Sequence, residues 1–119
     1  MVRKLEIGSE KYTKVFSMDE RGIGNAFHEY RITHVDGDQN PPLGLVQFQK
    51  GPIKENGVNG VMNEDLIAIV IDRLQCFQEG AFKCRENAIA LTKLEEALLW
   101  LRKRTMDRER RNVEGTSVV

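Results

Sequence analysis

Apolar and polar residues alternate in the first third of the chain, then give way to a spacing of three and four in the second half. The alternation is clearest in "KYTKVFSMDE", where Tyr12, Phe16 and Met18 fall on one line and Thr13 and Ser17 on the other. It returns in "AFHEYRITHV", with Tyr30 and Ile32 set against Glu29, Arg31 and Thr33, and in "LGLVQFQ", where Gly44 weakens it. A period of two marks strands. Turn chemistry separates them: "RGIGN", with two glycines and an asparagine, and "DGDQNPP". The first 60 or so residues therefore predict a small antiparallel sheet or meander of three strands.

"KGPIKENGVNGVMN" reads as a loop, with Asn63 placed to cap a helix and Glu64 and Asp65 in its first turn, where the helix dipole favours anions. The spacing predicts this helix over about 64–79, whose Leu66, Ile67, Ile69, Val70, Ile71, Leu74 and Phe77 cover more than one stripe and call for neighbours on two sides. Gly80 stands where a C-terminal glycine is expected. A second helix is predicted over about 83–111, with a stripe of Asn87, Leu91, Leu94, Leu98, Leu101, Thr105 and Arg108. A parallel line ends in Arg104, Arg108 and Arg111, so the apolar face hands over to arginines on one side. The longer second helix must overhang the first. The expected fold class is α+β: an N-terminal antiparallel sheet over 1–62, a long antiparallel helical hairpin over 63–112 and a tail over 113–119; one neighbour of the first helix is the second, and a second subunit is a candidate for the other.

Charge narrows the function. The formal net charge is zero, whereas a protein that coats nucleic acid carries a large positive excess, so no nucleic-acid polymer is expected as a partner. No leader-like apolar run is found near the N terminus, and the longest run, "LIAIVI", is too short to span a bilayer. The expectation is a cytoplasmic protein with reduced Cys76 and Cys84 and no membrane partner. His28, His34, Cys76 and Cys84 lack any standard zinc spacing, and "DGDQNPPLGLVQ" fails as a calcium loop. No metal site, cofactor or catalytic constellation is readable, and no enzyme is expected.

Three clusters remain as ligand candidates. Arg104, Arg108 and Arg111 can fork onto phosphates, although a solvated helix end with Asp107 and Glu109 nearby explains them equally well by spacing. Phe77, Phe82 and Asn87 surround the hairpin turn, where an aromatic can stack a base and an amide can read its edge, or where the rings simply pack. The "NGVNG" loop, with Asn59, can present backbone N–H groups to an anion but lacks the residues of a P-loop.

Taken together, "NGVNGVMNEDLIAIVIDRLQCFQEGAFKCREN", "ALTKLEEALLWLRKRTMDRERR" and "NVEGT" resemble the helical-hairpin domain of phage proteins that sequester immune nucleotides. The resemblance runs over about 56–117 and is to the type-one Thoeris anti-defence family; the phage anti-CBASS cyclic-nucleotide sponges share the hairpin and the "R-T-x-x-R … V-x-G-T" ending. It implies a sponge and not an enzyme. Such a protein holds a glycocyclic ADP-ribose made by a TIR-domain enzyme and denies it to the Thoeris effector. The resemblance further implies a homo-oligomer, a dimer or a hexamer built from dimers, with ligand enclosed between subunits, and cyclic di- or trinucleotides as further ligands of some members. On this pattern Arg104 and Arg108 would hold the pyrophosphate, Phe77 or Phe82 would pack against adenine or ribose, and Asn87 would hydrogen-bond the ligand, with Arg111 and Asn59 beside them. The alternative is a small phage regulator that binds nucleic acid or a protein through the basic helix end.

Overall fold

The computed structural model describes residues 2–37 and 41–119. They form an α+β chain of two compact units, residues 1–61 and 62–119. The first is a four-stranded antiparallel meander in sequential order: β1 (Arg3–Lys4), β2 (Thr13–Ser17), β3 (Glu29–His34) and β4 (Gly44–Gln47). The three expected strands are β2, β3 and β4. The short β1 was not legible, because two residues cannot display an alternation; it is defined only by pairing Arg3 with Ser17 and Lys4 with Phe16. The break read over 36–42 falls partly on residues 38–40, outside the described residues.

The register places Val15 opposite Ile32 and Ser17 opposite Tyr30, with Tyr30 opposite Val46. Alternation locates the faces but not the depth of burial. Among the described residues the fully buried side chain is Ser17, and Thr33 is buried as well. Ser17 tolerates this because its hydroxyl accepts a hydrogen bond from Arg3 Nε at 3.1 Å, and Thr33 donates to the His34 carbonyl at 3.1 Å. The "RGIGN" turn contains a single 3-10 turn, Ile23–Asn25, made possible by Gly24 and Asn25 at positive φ.

The segment read as a plain loop contains a one-turn helix, α1 (Ile53–Asn56), started by Pro52 and stopped by Gly57 at φ 69°. The chain then returns to the sheet, where Phe48 and Val61 form a parallel bridge and Val61 N–H donates to the Gln47 carbonyl at 2.8 Å. Gly60 permits that return: a Cβ there would lie 2.5 Å from the Phe48 carbonyl carbon and oxygen.

The second unit is the hairpin of α2 (Asn63–Gln78) and α3 (Arg85–Arg110). Asn63 is not the cap: Met62 occupies that position, and the Asp65 carboxylate accepts its N–H at 2.9 Å. Gly80 also departs from expectation. It is not left-handed; α2 ends through Glu79 in an ordinary helical conformation, donating to the Gln75 and Cys76 carbonyls. The turn is closed by Gln78, whose amide accepts from Cys84 N–H at 3.0 Å and donates to the Cys84 carbonyl at 3.1 Å. Cys84 caps α3 through its sulfur, which accepts the Asn87 N–H at 3.4 Å. At 1.5 Å per residue, α2 with its 16 residues and α3 with its 26 differ in length by about 15 Å. The core is thin, since Ile71 and Leu98 are the buried hydrophobic residues among the described residues.

Candidate functional site

The candidate residues of the hairpin fall into two groups. At the turn, Phe77 ends α2, Phe82 lies in the connection and Asn87 is in the first turn of α3. The two rings meet edge to face with centroids 6.3 Å apart. They are not equivalent. Phe77 is half-buried and carries the Arg73 guanidinium 5.0 Å from its ring centroid, whereas Phe82 is 76% exposed. Phe82 therefore offers the free aromatic face.

The arginines lie at the other end of α3. Asn87 and Arg104 share that helix, and the rise per residue sets them about 25 Å apart. Within one chain the structure does not bring the aromatic and cationic groups together.

Arg104 and Arg108 stand one helical turn apart and have different surroundings. Arg104 is exposed, and the ion pairs of this helix end, Lys103–Asp107, Arg110–Asp107 and Arg108–Glu114, do not include it. Arg108 has a side chain only 12% exposed. Its Nε donates to Glu114 Oε2 at 3.2 Å, and its Nη2 donates to the Val113 carbonyl at 3.0 Å and the Thr116 carbonyl at 3.1 Å. The tail therefore folds back on α3. Asn112 and Gly115, both at positive φ, make the reversal, and Thr116 Oγ1 donates to the Val113 carbonyl. Arg111 is exposed and reaches the Val119 carbonyl through Nη2. Lys103 hydrogen-bonds the Asp107 carboxylate, and together with Arg110 holds it below the ordinary aspartate range.

Asn59 belongs to the first unit. Its Oδ1 accepts Lys50 N–H at 2.8 Å, its Nδ2 donates to the Lys50 carbonyl at 2.8 Å, and its own N–H donates to Gln49 Oε1 at 2.9 Å. These bonds close the "NGVNG" loop onto the sheet.

Three groups are not legible as partners in the sequence. Gln78 and Glu114 are polar residues without a periodic signal, and their partners become visible only once the chain folds back. The third is Asp19, which with His28, weighed in the sequence only as a zinc ligand, and Lys50 lines an open cavity of about 250 Å³ in the first unit. Asp19 accepts from the His28 and Glu29 N–H groups, and His28 Nδ1 lies 3.8 Å from Asp19 Oδ2. Burial works against ionisation of Asp19, but the hydrogen bonds from Glu29 and His28 outweigh it and hold the carboxyl below its ordinary value. Lys50 is engaged with Glu29. Among the described residues no three His, Cys, Asp or Glu side chains are grouped to hold a metal ion, and no helix is long and apolar enough to cross a membrane.

A small antiparallel sheet followed by a capped helical hairpin, with a guanidinium pair on the overhang, defines a helical-hairpin class of protein. The family model "Acb2/Tad1, hairpin domain" matches residues 44–106, more than half of the chain, and the chain belongs to that family. It is 69% identical over 74 residues to Thoeris anti-defense 1 of Bacillus phage SBSphiJ7. That alignment covers 62% of this chain and 52% of the relative, so the chain matches about half of the relative's length. The family match includes Phe77, Phe82, Asn87 and Arg104 and ends before Arg108.

Proposed function

We propose that this protein is a phage anti-defence sponge. It binds a glycocyclic ADP-ribose immune signal, keeps it intact, and so withholds it from a Thoeris effector. The reading is supported by membership of the hairpin family and by the similarity to Thoeris anti-defense 1. The observation that carries the geometry is the separation of about 25 Å between the Phe82–Asn87 end and the Arg104–Arg108 end of one helix. A single glycocyclic ADP-ribose, one adenine and two riboses closed in a ring through a pyrophosphate, cannot reach both ends in a single chain. A site complete with base-stacking and phosphate-binding groups needs the arginine end of one copy beside the aromatic end of another.

In that site Arg104 and Arg108 take the pyrophosphate, because guanidinium forks match phosphate oxygens and keep their charge. Phe82 stacks the adenine, since its face is free while Arg73 covers Phe77. Asn87 supplies a side-chain amide to the ligand; its backbone N–H is already engaged in the α3 cap. Asn59 stays with its loop. Ile69, Leu99 and Trp100, all more than 60% exposed in the chain, provide the apolar surface that assembly covers. Sequestration is a mass-action effect, so the sites must match the signal in number and bind it more tightly than the effector does. A nanomolar site corresponds to about −12 kcal/mol.

The runner-up, a nucleic-acid arm, is weakened by the same helix end. Asp107 pairs with both Lys103 and Arg110 and Glu114 with Arg108, which offsets two of these three charges and dilutes what a polymer would follow.

Titration of the purified protein with glycocyclic ADP-ribose, followed by heat denaturation and chromatography of the released nucleotide, tests the proposal. Tight binding with intact recovery is expected. Linear ADP-ribose would mean hydrolysis, and absence of binding would sink the ligand assignment. Arg104→Ala is expected to weaken binding roughly ten- to hundredfold, the loss of one charge-assisted hydrogen-bonding group. Its melting temperature should match the parent, because Arg104 is exposed and outside the ion pairs.

A further inference from the structure

The tail lies beyond the family match, yet it grips one of the two arginines of the proposed site. We infer that Glu114 is a positioning residue: with the Val113 and Thr116 carbonyls it holds Arg108 by Nε and Nη2 and leaves Nη1 as the edge offered to a phosphate. This rests on the proposed function for the identity of the ligand, but the arrangement of the guanidinium does not depend on it.

A guanidinium has five N–H donors. Arg108 donates three of them within the chain: one from Nε to Glu114 Oε2, and two from Nη2, to Val113 and Thr116. The two on Nη1 remain. A ligand cannot take Nη2 without unravelling the tail, because both of its acceptors are backbone carbonyls. The grip is also reciprocal, since Val113 N–H donates to the Arg108 carbonyl at 3.0 Å, so that main chain and side chain of Arg108 hold the same segment. An arginine free in solvent loses considerable rotamer freedom when it binds. Arg108 has lost that freedom already, and a group ordered before binding contributes more to affinity than one ordered by it. Arg104, one turn away, is exposed and outside the ion pairs of this helix end. The site thus combines a fixed guanidinium, whose Nη1 sets where the phosphate sits, with an exposed one whose whole fork is free to close on it.

Two measurements test this on the full chain. The first needs no ligand. The Nε–Hε resonances of the arginines report side-chain order by heteronuclear NOE and by exchange with water, with Arg108 assigned from its loss in Arg108→Lys. Arg108 is expected to be ordered and slow to exchange in the parent, and measurably more mobile at Nε in Glu114→Ala, where only the two Nη2 hydrogen bonds remain. The second is titration with glycocyclic ADP-ribose. Glu114→Ala is expected to bind about tenfold more weakly, and Glu114→Gln, which keeps an acceptor oxygen, to recover most of that loss. Circular dichroism and melting curves identify any variant that fails to fold, and Glu114→Gln keeps the shape of the side chain if the alanine does not fold. A mobile Arg108 in the parent would overturn the proposal. So would a Glu114→Ala protein that binds as tightly as the parent, or more tightly, since the carboxylate would then be a bystander or a competitor for the phosphate. Failure of the parent to bind would overturn the function instead, and the ligand-free resonances would still decide whether Glu114 positions Arg108.

Discussion

Single residues fix the first unit at two points that can each be tested. Asp19 is half-buried and accepts hydrogen bonds from two backbone N–H groups that lead into β3. Its carboxyl is held below the ordinary value, so it contributes stability that is fully present above the unfolded-state range near pH 4 and is lost as pH falls through the lower folded value. Asp19→Asn should cost about 1–2 kcal/mol at pH 7 and flatten the acid limb of stability, measured by denaturant unfolding between pH 3 and pH 7. Gly60 is the second point. A Cβ there would overlap the Phe48 carbonyl at 2.5 Å, and the obstacle is backbone that no rotamer change can move. Gly60→Ala should destabilise the protein by roughly 2–3 kcal/mol in the same assay. Neither role is legible in the sequence. Asp19 adjoins a strand-like pattern and Gly60 belongs to an ordinary loop composition, and only the folding of distant segments onto β3, Gln47 and Phe48 gives each its partner.

Helix boundaries show how local chemistry and context divide the work. The periodicity located both helices to within two residues, because the apolar stripe that specifies a helix is also the stripe that packs it. The caps were harder. Met62 has no capping chemistry of its own, and its N–H is satisfied from inside the helix by Asp65. Cys84 caps α3 with sulfur, a weak acceptor, at 3.4 Å. A hydroxyl oxygen accepts more strongly, so Cys84→Ser should stabilise the hairpin by about 0.5–1 kcal/mol, while Cys84→Ala should cost a similar amount, read from melting temperatures under reducing conditions. Gly80 teaches a complementary lesson. A glycine after a helix signals a stop, but here the stop is made by Gln78 bonding across to Cys84, and glycine's left-handed option is not used.

The chain buries little apolar surface in either of its two units. Ile71 and Leu98 form the buried hydrophobic core among the described residues, while Ile69, Leu99 and Trp100 remain well exposed on the helices. Units of about 60 residues bury only a modest share of their surface, so each leaves a deficit that a partner can make up. The proposed assembly resolves the deficit, and it predicts that Trp100→Glu shifts the protein to smaller species in sedimentation velocity and weakens glycocyclic ADP-ribose binding, although Trp100 lies outside the proposed phosphate and base contacts. If Trp100→Glu sedimented as the parent does, Trp100 would not belong to the interface. Sedimentation also separates two kinds of loss of binding. Arg104→Ala acts on the ligand and should leave sedimentation unchanged, whereas Trp100→Glu acts through the partner copy.

By itself the sequence determined the α+β order, the three longer strands, the two helices and the run of arginines on the overhanging face. All of these derive from periods of two and 3.6 residues, which are properties of neighbouring positions along the chain. The resemblance carried by the hairpin and its ending also lies in contiguous stretches of sequence, and the family match covers most of that region. Tertiary structure decided the rest. It added β1, buried Ser17 and Thr33, tied Asn59 to its loop, left Phe82 rather than Phe77 with an open face, and closed the tail on Arg108 while leaving Arg104 exposed. Each of these depends on which distant groups become neighbours. A periodic pattern says which way a side chain points, but the partner it meets there is set by how the chain turns back on itself.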